Sequence, residues 1–293
     1  MRTLLKFCGV VLAVAAAAGP AQAERLFGLT AGNAIVTFDS DTPGTVLTSG
    51  AISGLGTNVL TGIDLRPATR QLYSLSTTGN LFQIVKNASG RDFTATLVGN
   101  ISTGFNGNRF GTDFNPVPDR LRFVTDFDNN LRINPATGAT IVDGTISAPG
   151  AEALVGVAYT NSRAGATTTT LYALDASGNE LLRSDNPNAG TYVNTNLAGV
   201  AFGPLGVTLG GGNSVGFDIS GGTGDAFFNV GSSLYALNLT TGAATSIGTV
   251  GAGSLIGLTA ASVPEPAAWA LMIGGFGLVG AAMRRRGIAT VAA

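Results

Sequence analysis

Gly111-Thr112-Asp113-Phe114, Arg120-Leu121-Arg122-Phe123-Val124, Asn130-Leu131-Arg132-Ile133 and Ala139-Thr140-Ile141-Val142-Asp143 follow one another with only turns between them. Each piece has the length of a strand, and Val, Ile, Phe and Thr suit a pleated, half-buried surface. Four such strands in about 35 residues are one antiparallel unit. The unit recurs. Its second and third strands return as Arg25-Leu26-Phe27-Gly28-Leu29-Thr30 with Asn33-Ala34-Ile35-Val36-Thr37-Phe38, and as Gln71-Leu72-Tyr73-Ser74-Leu75 with Asn80-Leu81-Phe82-Gln83-Ile84-Val85. Two more copies are Thr170-Leu171-Tyr172-Ala173-Leu174 with Asn179-Glu180-Leu181-Leu182, and Ala226-Phe227-Phe228-Asn229-Val230 with Ser233-Leu234-Tyr235-Ala236-Leu237. Leu26, Leu72, Leu121, Leu171 and Phe227 mark the repeat, at spacings of 46, 49, 50 and 56 residues.

The strand before each of the later hairpins also has a shared form. It reads Gly62-Ile63-Asp64-Leu65, Gly111-Thr112-Asp113-Phe114, Gly156-Val157-Ala158-Tyr159 and Gly216-Phe217-Asp218-Ile219. A fifth copy, Ile256-Gly257-Leu258-Thr259-Ala260, comes last with no hairpin after it, while the first hairpin has no such strand before it. A period near 50 with four strands per unit is the pattern of a propeller. The expectation is an all-β chain, a β-propeller of five four-stranded blades whose C-terminal strand closes the first blade and removes the open edge. A sandwich has no reason for five similar units, and a β-helix would have a shorter period.

The two ends read differently from this body. Arg2 and Lys6 precede an apolar run, Phe7 to Ala18; Gly19-Pro20 breaks it, and Ala21-Gln22-Ala23 has the form of a cleavage site. Residues 1–23 therefore read as a secretory signal peptide cut after Ala23. The cut removes Cys8, the only cysteine, so the mature protein has no disulfide or thiol chemistry. At the other end, a glycine-containing apolar stretch over 267–283 is near the lower limit for a bilayer span. The body between, 24–262, carries 11 basic and 16 acidic residues, net −5, because five of the 16 Lys+Arg and one of the 17 Asp+Glu lie in the terminal segments. That balance argues against a nucleic-acid partner. The chain has no histidine. Ser-His-Asp and Cys-His catalysis and histidine metal sites are therefore excluded. No cofactor is expected.

Two resemblances add to this reading. Pro264-Glu265-Pro266, Trp269-Ala270, the apolar stretch and Arg284-Arg285-Arg286 resemble the PEP-CTERM sorting signal of Gram-negative bacteria in its PEPxxWA form. The resemblance makes 263–293 a sorting segment and implies secretion machinery and an exosortase as partners. It also implies transient anchoring in the inner membrane, then delivery to the cell surface or extracellular matrix. Within the body, Gly62-Ile63-Asp64-Leu65-Arg66-Pro67-Ala68-Thr69, Asp113-Phe114-Asn115-Pro116-Val117-Pro118-Asp119-Arg120-Leu121-Arg122, Asn130-Leu131-Arg132-Ile133-Asn134-Pro135 and Ala158-Tyr159-Thr160-Asn161 resemble the bacterial family of unknown function numbered 4394. That family implies a secreted, propeller-like protein and carries no assigned activity.

No catalytic residue is assigned. Asp64, Asp113 and Asp218 hold equivalent places in three of the five leading strands, with Ala158 and Thr259 in the others. If these strands are innermost, the three carboxylates line one end of a central channel and suit cation binding or acid–base work. Otherwise each caps a turn or bonds the neighbouring blade. Asp126, Asp128 and Asn130 resemble the first half of a calcium loop, but Leu131 stands where glycine is required. Arg122 and Arg132, with Arg109 and Arg120 nearby, suit either an acidic sugar or an internal salt-bridge network with Asp113, Asp119, Asp126 and Asp128. The functional expectation is an exported, non-enzymatic binding or display protein associated with extracellular polysaccharide. A carboxylate-based glycan lyase or hydrolase and a purely structural coat module are the alternatives.

Overall fold

The structure, a computed structural model, describes residues 23–261 except 89, 151 and 152, together with helical positions 275–277 and 280. The expected signal peptide and sorting segment otherwise lie outside the described residues. Among the described residues no helix is long and apolar enough to cross a membrane.

The described body is all-β. In chain order the strands are β1 (Arg25–Thr30), β2 (Ala34–Asp39), β3 (Val46–Ser53), β4 (Asp64–Leu65), β5 (Leu72–Leu75), β6 (Asn80–Lys86) and β7 (Phe93–Asn100). They continue with β8 (Phe110–Asn115), β9 (Arg120–Thr125), β10 (Asn130–Ile133), β11 (Thr140–Val142), β12 (Leu154–Tyr159) and β13 (Leu171–Asp175). The last are β14 (Glu180–Asn186), β15 (Thr191–Val193), β16 (Val215–Ile219), β17 (Ala226–Val230), β18 (Ser233–Leu237), β19 (Ala244–Thr249) and β20 (Leu255–Ala261). Three four-stranded antiparallel sheets, β8 to β11, β12 to β15 and β16 to β19, run in chain order. Gly79 and Gly138 sit in tight turns at φ 80° and 76°, a conformation that costs other residues energy.

The remaining eight strands form one sheet in the order β20-β1-β2-β3-β7-β6-β5-β4. The C-terminal β20 pairs with β1, Leu26 opposite Ala260, as the offset repeat predicts. The join between β3 and β7 was not expected. It is parallel, with Ile52 opposite Phe93 and Ser53 opposite Thr94. Two glycines explain it: a Cβ on Gly50 would lie 1.9 Å from the carbonyl oxygen of Arg91, and one on Gly54 would lie 2.4 Å from that of Ala95. Only bare backbone lets β7 come this close.

The core lies between neighbouring units. Leu29, Leu60 and Phe82 belong to one cluster; Leu75, Phe114 and Phe123 to the next; Val124, Tyr159 and Leu182 to a third. Leu174, Phe217 and Phe228 form part of a fourth, and Leu26, Phe38, Phe227 and Leu234 part of a fifth that joins the last unit to the first. The strands at the centre, β4, β8, β12, β16 and β20, likewise touch in a closed cycle.

Glycine sets how tightly that cycle closes. Each central strand has a glycine at the first shared position, within the strand or, for β4, two residues ahead of it: Gly62, Gly111, Gly156, Gly216 and Gly257. A Cβ on any of them would meet the residue after the matching glycine in the next strand: Thr112 Oγ1 at 3.3 Å, Val157 N at 2.9 Å, Phe217 Cβ at 3.0 Å, Leu258 N at 2.3 Å and Ile63 N at 2.8 Å. The opening lined by these residues has a volume of only about 10 Å³, at the limit for a single water.

Candidate functional site

Two residues beyond each of these glycines, on the same side of the strand, stand Asp64, Asp113, Ala158, Asp218 and Thr259. Asp64, Asp113 and Asp218 are buried, and one oxygen from each lies within 4.8 Å of the others. Each also reaches the next central strand. The backbone N–H of Phe114 donates to Asp64 Oδ2 at 2.7 Å, that of Tyr159 to Asp113 Oδ2 at 2.6 Å, and that of Ala260 to Asp218 Oδ2 at 2.6 Å. Thr259 does the same work without a charge, its Oγ1 accepting from Leu65 N–H at 3.3 Å. Four of the five joints are therefore latched in one way. The fifth, from β12 to β16, has only the methyl of Ala158, and Ile219 N–H turns to its neighbour Asp218 Oδ1 at 2.6 Å. The carboxylates thus converge and bond the adjacent strand at once.

Burial without a basic partner governs the electrostatics of this cluster. The ion pairs among the described residues involve other acids. Burial pushes Asp64 up to about 6, despite the N–H bonds that favour its charge. Burial, then the charges of Asp64 and Asp218, holds Asp113 well above the usual carboxylate range. Burial, then Asp64, does the same to Asp218. The hydrogen bonding agrees. Thr259 Oγ1 lies 2.8 Å from Asp64 Oδ1 and 2.9 Å from Asp218 Oδ2, yet its single proton serves only one of them. Asp113 Oδ1 has no hydrogen-bond partner among the described residues. Asp113 and Asp64 face each other carboxyl to carboxyl, an approach that is bonding when a proton or a cation lies between them.

A pH prediction follows. A carboxyl with a raised folded pKa contributes stability that is complete below its unfolded value, near 4, and lost as pH rises through the folded value. In chelating buffer the cluster should therefore weaken the fold as pH climbs from 4 through 6 and beyond. Asp113→Asn imitates the protonated acid. At pH 8 it should be more stable than the parent, with the gap closing toward pH 4. Urea midpoints measured across this range check the sign, and a variant that is less stable at pH 8 contradicts it.

The arginines form a separate centre. Arg122 on β9 stands directly opposite Arg132 on β10. Like charges so placed repel, and Asp143, just past β11, resolves the conflict. Its Oδ2 accepts from Arg122 Nη1 at 2.7 Å and Arg132 Nε at 2.6 Å, and its Oδ1 from Arg132 Nη2 at 2.8 Å. Arg122 also donates to Asn130 Oδ1, Asn188 Oδ1 and Tyr159 Oη. The Arg122 side chain is 1% exposed and that of Arg132 23%. This is an internal network, and Arg122 presents nothing to a polymer outside. Its acid, Asp143, is none of the four aspartates, Asp113, Asp119, Asp126 and Asp128, that the sequence sets beside these arginines. Of those, Asp126 pairs with Arg109 and Asp119 with Arg66, while Arg120 donates to the carbonyls of Pro118 and Asp119. The calcium-loop candidate is committed elsewhere too. Asp126 Oδ1 accepts from the N–H groups of Asn108 and Arg109, and Asn130 Nδ2 donates to the carbonyls of Gly144 and Pro187. Asp128, at φ 61°, holds the turn between them.

Comparison with known proteins places this geometry in a family. No curated protein matches the chain. A structural genomics protein of unknown function from Bacteroides thetaiotaomicron VPI-5482 is similar at 15% identity and TM-score 0.46, over 78% of this chain and 58% of that one. The chain thus spans little more than half of that protein's length. Myxococcus xanthus glutaminyl cyclase is similar at 14% identity and TM-score 0.42, over 71% and 90% of the two chains. Neither likeness is close enough to carry an argument. The profile of a PEP-CTERM protein-sorting motif matches residues 262–286 and marks the chain for export to the cell surface or beyond, with processing by an exosortase. The profile of the domain of unknown function DUF4394 matches residues 34–259, from β2 to the latch residue Thr259, and the chain belongs to that family.

Proposed function

We propose that the body, residues 24–262, is a five-bladed β-propeller displayed outside the cell as a non-enzymatic binding module for extracellular polysaccharide. Two supports for the blade count are the five inter-unit core clusters and the closed cycle of β4, β8, β12, β16 and β20. The function rests on one observation above all: the sorting motif begins at residue 262, directly after the ring-closing β20 ends at Ala261. On this reading the segment 263–293 anchors the chain in the inner membrane only until processing.

The geometry of the carboxylates weighs against the glycosidase alternative. Paired carboxylates acting on a glycosidic bond stand about 5 to 9 Å apart with the sugar between them. Here one oxygen from each carboxylate lies within 4.8 Å of the others, and the cavity at Asp64, Asp218 and Thr259, with a volume of about 20 Å³, leaves no room for a sugar between them. No sugar ring enters a space of one water. A larger groove of about 520 Å³ lies between the first and last units, lined by Ser40, Asp41, Asp225, Phe227 and Asn238 among others, and is the surface on which we would seek polymer contacts.

The test mixes the purified body with the exopolysaccharide of its own host and follows retention and polymer length together. Retention on polymer of unchanged length is expected. Shortening that disappears in Asp64→Asn would make the protein an enzyme. Neither retention nor shortening would favour a structural coat.

A further inference from the structure

We propose that Asp64, Asp113 and Asp218 bind one divalent cation of calcium size on the axis of the ring, clamping β4, β8 and β16 together. This is independent of what the outer surface binds.

Three features of the site lead there. The first is the ligand set: three acidic oxygens within 4.8 Å of one another, buried and facing no arginine or lysine in the ion pairs described. Calcium takes oxygen ligands at about 2.3–2.6 Å in adaptable geometry, which suits a set fixed by three different strands, whereas magnesium demands a near-ideal octahedron at about 2.0–2.1 Å. The second is independent of the convergence. Asp113 is fully buried, its Oδ2 is held by Tyr159 N–H, and its Oδ1 meets no donor among the described residues. A buried acceptor left this way costs free energy, and the carboxyl that carries it faces Asp64. The third is Thr259. Its hydroxyl touches Asp64 and Asp218 with one proton for two acceptors, and a cation beside them removes the shortfall. A water-sized cavity of about 20 Å³ at Asp64, Asp218 and Thr259 gives room for one further oxygen ligand. Arg66 and Arg70 line the same mouth, and Arg66 is neutralised by Asp119.

The test is thermal unfolding of the exported protein after EDTA and dialysis, equilibrated with calcium or magnesium chloride up to about 10 mM, beyond the Kd range of extracellular calcium modules. Calcium at a hundredfold excess over its Kd should raise Tm by about 5–10 °C for a body of this size, and magnesium by clearly less. Asp113→Asn keeps an oxygen for Tyr159 N–H and removes the charge, so its calcium response should fall to about a tenth of the parent's or less. No calcium response in the parent overturns the proposal, as does an equal response in Asp113→Asn. A response to magnesium alone overturns the assignment of calcium size. Should the variant fail to fold, the metal content of the parent decides. One calcium bound per chain in equilibrium dialysis taken up to the same calcium concentration supports the site, and none refutes it.

Discussion

Replacing Asp143 with alanine should cost about 3–5 kcal/mol, because it leaves the Arg122 guanidinium charged and buried with only neutral partners. Asn130, Asn188 and Tyr159 would still accept its hydrogen bonds. None of them cancels a charge, and Arg132, directly across the strand pair, would add repulsion. Arg122→Met should cost less, since Asp143 keeps both bonds from Arg132. The ordering separates a charge effect from a packing effect, because the arginine is the larger side chain to lose. Denaturant midpoints of the two variants measure it. A cost below about 1 kcal/mol for Asp143→Ala, the range of exposed pairs, would mean that water reaches Arg122.

Gly216→Ala should be the most damaging single methyl on the axis, at about 3 kcal/mol, the upper end for overpacking. The added carbon would sit 2.3 Å from Leu258 N and 2.6 Å from Gly257 C, both backbone atoms of the closing strand β20. Relief requires moving β20, which also strains the bond from Ala260 N–H to Asp218. The same change at Gly62 meets the hydroxyl of Thr112 at 3.3 Å, which can turn aside, and nothing else closer than 3.6 Å, and should cost well under half as much. Melting temperatures of the two variants provide the check. Equal losses would show that strand spacing at the centre is not set by backbone contact.

Much of this was legible in the chain because a repeat makes each copy a witness for the others. The shared glycine and the residue two places on fall at the same height once equivalent strands stand side by side at the centre, so the repeat pattern itself carries Asp64, Asp113 and Asp218 to one place. Thr259 occupied the same place, but a neutral residue gave no sign that it would act as a fourth latch. The Arg122 network was half readable. Register puts Arg122 opposite Arg132, and an acid must then lie close by. That the acid is Asp143, and not one of the four aspartates closer to Arg122 in sequence, follows from β11, which carries the chain back past both arginines. The β3–β7 pairing left only Gly50 and Gly54 as traces, and a glycine states where backbone can approach without naming which backbone arrives.

The pairing of β20 with β1 sets an order of events as the chain is made and exported. Arg25 and Ala261 are partners in one ladder, so the first strand of the body waits, its edge unpaired, for nearly the whole sequence to follow. Contacts of such separation form slowly. A chain halted before Leu255 would present β1 as an open edge, a template for joining another chain. The sorting segment begins one residue after that strand ends. A ribosome that has reached the sorting signal has already supplied the last strand, so every chain bearing the address is one that has the means to close.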